Sequence, residues 1–257
     1  MSTVLTEVRG HVALVTLNRP DNANTLNMQM GKDLAAAAIA CESNPAVRAI
    51  VLTGSGKNFC FGGDLRGMIE TGGAVDAYLR ELTSHLHTAI GHFVRMDAPV
   101  IAAVNGTAAG AGVGLVAMSD MAIAGQGAKF SLAYTGVGLT PDGSTSFFLP
   151  RVIGQKRATE LILTNRAITA AEALDWGLVN SVVPDADVVA EALKIAERLA
   201  AGPLRAFGKS KRLIAEATGA LESHLALESQ TIARQAATPE GREGIGAFLE
   251  KRKPKFA

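Results

Sequence analysis

No run of about 18 apolar residues, the length a membrane-crossing helix needs, occurs in these 257 residues. The stretch "AAAAIACE" is far too short and is expected to be helix. Cysteine is scarce. Cys41 and Cys60 are the only two, which excludes a disulfide framework and points to a reducing compartment, the cytoplasm. Net charge is close to zero, with 25 basic residues against 24 acidic ones. That balance excludes the broad basic surface of a nucleic-acid binder or of a protein drawn to anionic membranes. The opening "MSTVLTEVRGHVALV" has no basic segment leading into an apolar core, so no signal peptide is expected. There is no HExxH pair. His85 and His87 stand two apart on a predicted helix and point to different sides, so no metal site is expected. No GxSxG elbow supplies a nucleophile.

What is present is core-forming material: 48% of residues are hydrophobic and 19% charged, a balance that excludes a disordered chain. "VLTEVRGHVALVTLN" predicts two strands about a turn at Arg9-Gly10. "NMQMGKDLAAAAIACES" predicts a helix capped by Asn27. "VRAIVLTGSG", "APVIAAVNG" and "MAIAG" read as buried strands, and "DAYLRELTSHLHTAIGHFVRM" as a long amphipathic helix. From Gly154 onward the pattern is mostly helical, with one short strand at "GLVNSVVP". Strand-then-glycine recurs at "AIVLTGSG" and "VIAAVNG", which hints at a repeated unit. No linker or low-complexity tract divides the chain. One α/β domain with a helical C-terminal extension is expected.

Two glycine loops carry the chemistry. "NGTAAGAGVGL" follows a strand and opens a helix, where free backbone N–H groups can meet an anion or oxyanion. It lacks the Gly-Lys-Ser/Thr of a phosphate loop. It also lacks the acid that a dinucleotide site places after the next strand, where Ala124-Gly125-Gln126 stands instead. Close packing of helix on sheet would explain this loop alone. "GSGKNFCFGGDLRGM" repeats the arrangement. Two such loops can each present one N–H to a carbonyl oxygen gaining charge. A third segment, "GLTPDGSTSF", holds Asp142, the only charge between Lys129 and Arg151. Asp142 is either a turn residue, since "PDGS" suits a type I turn, or a working acid. Leu139, Phe147 and Phe148 could wall it and raise its pKa.

At these loops the sequence resembles the crotonase family, the enoyl-CoA hydratases and isomerases. The resemblance covers nearly the whole chain, through "VALVTLNRPDNANTLN", "NFCFGGDL", "APVIAAVNGTAAGAGVGL", "GLTPDGSTSFFLPRVIG", "LTNRAITAAEALDWGLVNSVVP" and "GREGIGAFLEKRKPKF". It implies an α/β spiral of β-β-α repeats over residues 1–195. A helical trimerisation region would follow over 196–257, in trimers or dimers of trimers. It implies acyl-CoA thioester substrates and no further cofactor. The oxyanion donors would be the backbone N–H groups of Gly63 and Ala111. Ala23, Asn24, Phe61, Gly62, Asp64 and Leu65 would line the path of the CoA moiety. Gly110, Gly114 and Tyr134 complete the expected substrate-binding set, with Phe248 and Lys251 of the tail, which in the family often reach a neighbouring subunit's CoA.

The sequence departs from the hydratase pattern at two positions. Two-base hydratases carry glutamates where this chain has Gly114 and Tyr134. The acid that remains is Asp142, and "LTPDGSTSFFLPRV" particularly resembles epoxyphenylacetyl-CoA and related double-bond isomerases. One carboxylate suits an isomerase, which takes a proton from one carbon and returns it to another. Aryl-CoA dehalogenases of the family also carry an aspartate here, used as a nucleophile, with a histidine near His87 and a tryptophan in place of Tyr134. The same residues would also suit an atypical hydratase using Asp142, or a non-catalytic acyl-CoA-binding trimer.

Overall fold

The structure is a computed structural model that describes residues 2–216 and 221–255. β1 (Val4–Arg9) and β2 (Val12–Leu17) pair antiparallel about Gly10, which takes the left-handed φ that the tight turn requires. α1 (Met28–Ser43) starts at Asn27, whose side chain accepts from the Met30 N–H.

The hinted repeat then appears in full: a long strand, a tight turn, a short strand, then helix. The first unit is β3 (Ala49–Gly54) and β4 (Asn58–Cys60), followed by α2 (Leu65–Ile69) and α3 (Val75–Arg95). The second is β5 (Val100–Val104), β6 (Thr107–Ala109) and α4 (Ala111–Met118). The third is β7 (Met121–Gly125), β8 (Lys129–Ser131) and α5 (Thr145–Ile153). After these come α6 (Gln155–Thr164), β9 (Ile168–Thr169), α7 (Ala170–Asp175), β10 (Ser181–Val183) and α8 (Val188–Ala200). The last helices are α9 (Leu204–Glu216), α10 (Leu221–Ala236) and α11 (Pro239–Leu249).

The long strands form a six-stranded sheet in the order β1-β2-β3-β5-β7-β10, parallel from β2 onward. The short strands form a second sheet, β4-β6-β8-β9. Each unit thus contributes one strand to each sheet, the expected spiral of β-β-α repeats. Both faces of the large sheet are buried, which is why its strands read as unbroken apolar runs. Ile50, Leu52, Ala102 and Val104 face the main core, while Ala49, Val51, Ile101 and Ala103 face α8 through Val188, Ala192 and Ala196. Helix α8 runs unbroken across the expected division at residue 195, so the chain leaves the sheet only after Ala200.

The C-terminal helices turn back onto the repeats. Lys211 of α9 pairs with Asp120 at 2.7 Å and donates to the carbonyls of Phe93 and Ala98. α10 packs along α3, with Thr83 Oγ1 and Ser229 Oγ 2.6 Å apart. α11 packs against α2 and the Thr135–Val137 turn. These contacts bring α10 and α11 over the loops that end the repeats.

Candidate active site

A cavity of about 230 Å³ opens where the two glycine loops, the segment from Ser131 to Asp142 and the C-terminal helices meet. Phe61, Gly63 and Leu65 line it from the first loop, Gly110 from the second, and Phe248 from α11. Tyr134, Leu139 and Asp142 close its inner side. The two loops touch: a Cβ built on Gly62 would lie 3.3 Å from the Ala111 nitrogen. Gly110, at φ 52° and ψ −127°, turns the chain into α4, so Ala111 is the first helical residue and its N–H has no partner within the helix. The Gly63 N–H is likewise spared. Leu26 bridges to this loop through the Gly62 carbonyl and the Asp64 N–H, and no hydrogen bond among the described residues takes the N–H of Gly63 or Ala111. Ala111 itself stands just behind Gly110 and does not line the cavity with its side chain.

Asp142 sits both in a turn and at the cavity. Its backbone carbonyl accepts from the Thr145 N–H at 3.0 Å, so the turn spans 142–145 with left-handed φ at Gly143 and Ser144, one residue later than the type I turn expected over 141–144. Its carboxyl faces the cavity and is buried. Burial pushes that carboxyl up to about 6, although a hydrogen bond from Tyr134 pulls the other way. The Tyr134 hydroxyl donates to Asp142 Oδ1 at 2.8 Å and lies 3.3 Å from Thr145 Oγ1. Burial, then the Asp142 charge, drives the phenol well above its ordinary value, so it stays a donor at any working pH. One acid with one fixed donor and two free N–H groups nearby is an arrangement able to polarise a carbonyl and move a proton beside it.

Several expected residues sit elsewhere. Gly114 does not reach the cavity. It packs α4 against the Asp142 loop so closely that a Cβ there would stand 2.3 Å from the Gly143 carbonyl oxygen and 2.6 Å from Thr145 Oγ1. Asn24 is wholly buried, and its amide is consumed within the protein. It donates to the carbonyls of Ser55 and Asn58 and accepts from the Arg19 N–H. Ala23 holds the first loop through its carbonyl, which accepts from the Phe61 N–H. Asp64 caps α2 and pairs with Arg19 at 2.9 Å. Gly62 takes a left-handed φ beneath the second loop. None of these four, nor Lys251, lines this chain's cavity, whereas Phe248 lines the cavity of its own chain. Phe147 and Phe148 also lie away from it, stacked edge to face on α5, so Leu139 alone of the three expected walls is in place.

Met68 and Ile232 are cavity walls that sequence reading left out. Sequence reading also leaves out the buried Glu228 of α10, which lies behind the Asp142 loop and does not line the cavity. Its one trace in the sequence is spacing: His224 and Glu228 stand four apart in a helical segment. Both cysteines are free and buried. Burial pushes Cys60 up to about 12 and Cys41 to about 11, which leaves neither as a thiolate. No cluster of metal ligands occurs among the described residues.

The family model for enoyl-CoA hydratase/isomerase matches residues 7–257. The chain is 36% identical to a 1,2-epoxyphenylacetyl-CoA isomerase of Escherichia coli over 100% of its own length and 98% of the relative's. It is 40% identical to a probable enoyl-CoA hydratase of Rhodobacter capsulatus, covering 99% and 97% of the two chains. It is 35% identical to a 4-chlorobenzoyl coenzyme A dehalogenase of Arthrobacter, covering 93% and 88%. Among solved structures, an enoyl-CoA hydratase from Mycobacterium avium subsp. paratuberculosis superimposes with a TM-score of 0.89 at 32% identity, over 99% and 98% of the chains. This chain belongs to the enoyl-CoA hydratase/isomerase family of the crotonase superfamily, and its fold is the crotonase fold.

Proposed function

We propose that this protein is an enoyl-CoA isomerase that shifts a double bond, or rearranges a ring, through an enolate. The observation that carries the reading is the single acid at the cavity: among the lining residues only Asp142 bears a carboxyl. In this mechanism the thioester carbonyl lies between the N–H groups of Gly63 and Ala111, which stabilise the negative charge that develops on its oxygen. Asp142 removes a proton from one carbon and returns it to another, with Tyr134 holding the carboxyl in place through Oδ1. A carboxyl raised to about 6 remains ionised above that pH and is a stronger base than an ordinary aspartate. The thioester and the chain's own groups are sufficient for this reaction, so no cofactor enters it. The similarity to the Escherichia coli epoxyphenylacetyl-CoA isomerase supports the reading.

The CoA moiety would lie along the first glycine loop, past Phe61 and Leu65, with Phe248 over the entrance. The protein would work in the cytoplasm as a homotrimer or a dimer of trimers. No helix among the described residues is long and apolar enough to cross a membrane.

Incubation with a panel of acyl-CoAs in deuterated water tests the reading. An isomerase exchanges α or γ protons and moves the double bond. Water addition would replace the reading with an Asp142 hydratase. Halide release from an aryl-CoA would replace it with a nucleophilic aspartate. Binding without exchange would leave a non-catalytic acyl-CoA-binding protein.

A further inference from the structure

The loop that carries Asp142 is anchored at both ends by one helix. Gln235 of α10 donates its amide to the Gly138 carbonyl at 2.9 Å. Seven residues earlier, two turns along the same face, Glu228 accepts from the Ser144 N–H at 2.6 Å and the Ser146 N–H at 3.2 Å. It also accepts from the Ser146 hydroxyl at 2.5 Å. Ile232, between them on that face, lines the cavity. Ser144 and Ser146 flank the first residue of α5, so the Glu228 carboxylate occupies the N-terminal end of that helix, where free N–H groups and the helix dipole favour an anion.

Among the described residues no Lys or Arg pairs with this acid; its basic neighbours are histidines, with His224 Nε2 3.5 Å from Glu228 Oε1. His87 of α3 has its Nε2 3.8 Å from Glu228 Oε2, buried and without a hydrogen-bond partner. Burial, then the His224 charge, lowers His87 to about 4, which leaves it neutral. His224, one turn before Glu228 on α10, shares Ser146 Oγ at 2.9 Å. It too is lowered, by burial and then by Arg151 of α5. Asp142 and Tyr134 are the remaining titratable groups on this side. Burial raises Glu228 to about 7. The Ser146 hydroxyl pulls it down, and the charge of Asp142 pushes it up. Glu228 therefore still holds its proton over most of the range in which Asp142 loses its own, and its hold on the loop is through hydrogen bonds.

We propose that Glu228 and Gln235 are positioning residues for Asp142: together they clamp the loop from Gly138 to Ser146. The proposal rests on the reading of Asp142 as the proton carrier. Gln235 holds the Gly138 end and Glu228 the Ser144–Ser146 end.

The test reads the loop and the turnover separately. Hydrogen exchange reports the clamp without substrate: Glu228→Gln should speed exchange at the Ser144 and Ser146 N–H groups by about tenfold. Glu228→Gln and Gln235→Met should each lower kcat several-fold, with acyl-CoA affinity within about twofold and the acid limb of kcat where it was. Unchanged exchange in Glu228→Gln, or full kcat in Gln235→Met, overturns the clamp. If Glu228→Gln does not fold, Glu228→Asp carries the test, since it keeps the carboxyl and shortens the reach. It should lose about tenfold in kcat, and unchanged kcat would refute the proposal. An Asp142→Asn protein with normal turnover would remove the proton-carrier reading, while faster exchange in Glu228→Gln would leave the clamp standing.

Discussion

Replacing Asp142 by Asn separates its two possible duties, because the amide keeps the shape of the turn and discards the base. The turn survives because it is closed by the backbone carbonyl of residue 142 and not by its side chain. The Tyr134 hydroxyl can still donate to the amide oxygen. Lifting a carboxyl from 3.8 to about 6 corresponds to about 3 kcal/mol of preference for the neutral form. A raised group supplies its full stabilisation below the unfolded value, and loses it as pH rises through the folded value. At pH 8 the wild-type protein therefore carries that penalty and the Asn variant does not. The new amide N–H₂ replaces an acceptor with a donor in a buried place, which costs about 1–2 kcal/mol if it finds no partner. The net gain at pH 8 is about 1–2 kcal/mol, or roughly 2–8 °C in melting temperature for a chain of this length. At pH 4 the gain vanishes or reverses. Turnover should fall by about two to four orders of magnitude, the range for a general acid–base group. Acyl-CoA affinity should change little, because the N–H donors and the CoA contacts remain. Calorimetric or fluorescence melting across pH, with kcat and Kd from one preparation, reads all three. An Asn variant of near-normal turnover, or one uniformly less stable from pH 4 to pH 9, would refute the reasoning and reduce Asp142 to a turn residue.

Tyr134→Phe removes the donor that holds Asp142 down, so the carboxyl pKa should rise and the acid limb of kcat should move to higher pH. Activity should drop several-fold near pH 6–7 and largely recover near pH 9, and a pH–rate profile that does not move would contradict the pairing. Ala111→Pro deletes the N–H at the first position of α4, where proline fits a helix. Turnover should fall by about two to three orders of magnitude with melting little changed, whereas Ala111→Gly should keep much of its activity. A fully active proline variant would remove Ala111 from the oxyanion site. Light scattering at micromolar concentration should give a trimer or hexamer mass, and a monomer would contradict the proposed assembly.

The repeated strands were legible because both faces of the large sheet are buried, leaving "AIVLTG" and "VIAAV" as unbroken apolar runs. The helix caps were legible too: Asn27 bonds Met30 as its position suggested. The second sheet was not. Strands of three residues, such as Asn58–Cys60 and Thr107–Ala109, are too short to show a period of two, and their flanking glycines read simply as loop. The site was legible as motifs and illegible as partnerships. Asp142 stood out as an isolated charge, yet nothing local announced that Tyr134, eight residues earlier, would bond its carboxyl. Glu228 lies 86 residues beyond Asp142 in a helix that reads as amphipathic, and only the return of α10 onto the repeats brings it there. Asn24 shows a second hidden partnership: its amide joins loops that the sequence keeps more than 30 residues apart.

The contact at Gly114 bears on how such a site could change its chemistry over time. The position where a two-carboxylate relative keeps an acid is filled here by the Gly143 carbonyl, pressed onto the α4 backbone. Even alanine would have to push aside the loop that holds Asp142. A second acid cannot therefore be regained at this position while the present one stays in register. The two designs are alternative packings of the same helix and loop. A lineage or an engineer moving between them must first rebuild the path of residues 142–145, and would displace Asp142 before gaining the glutamate.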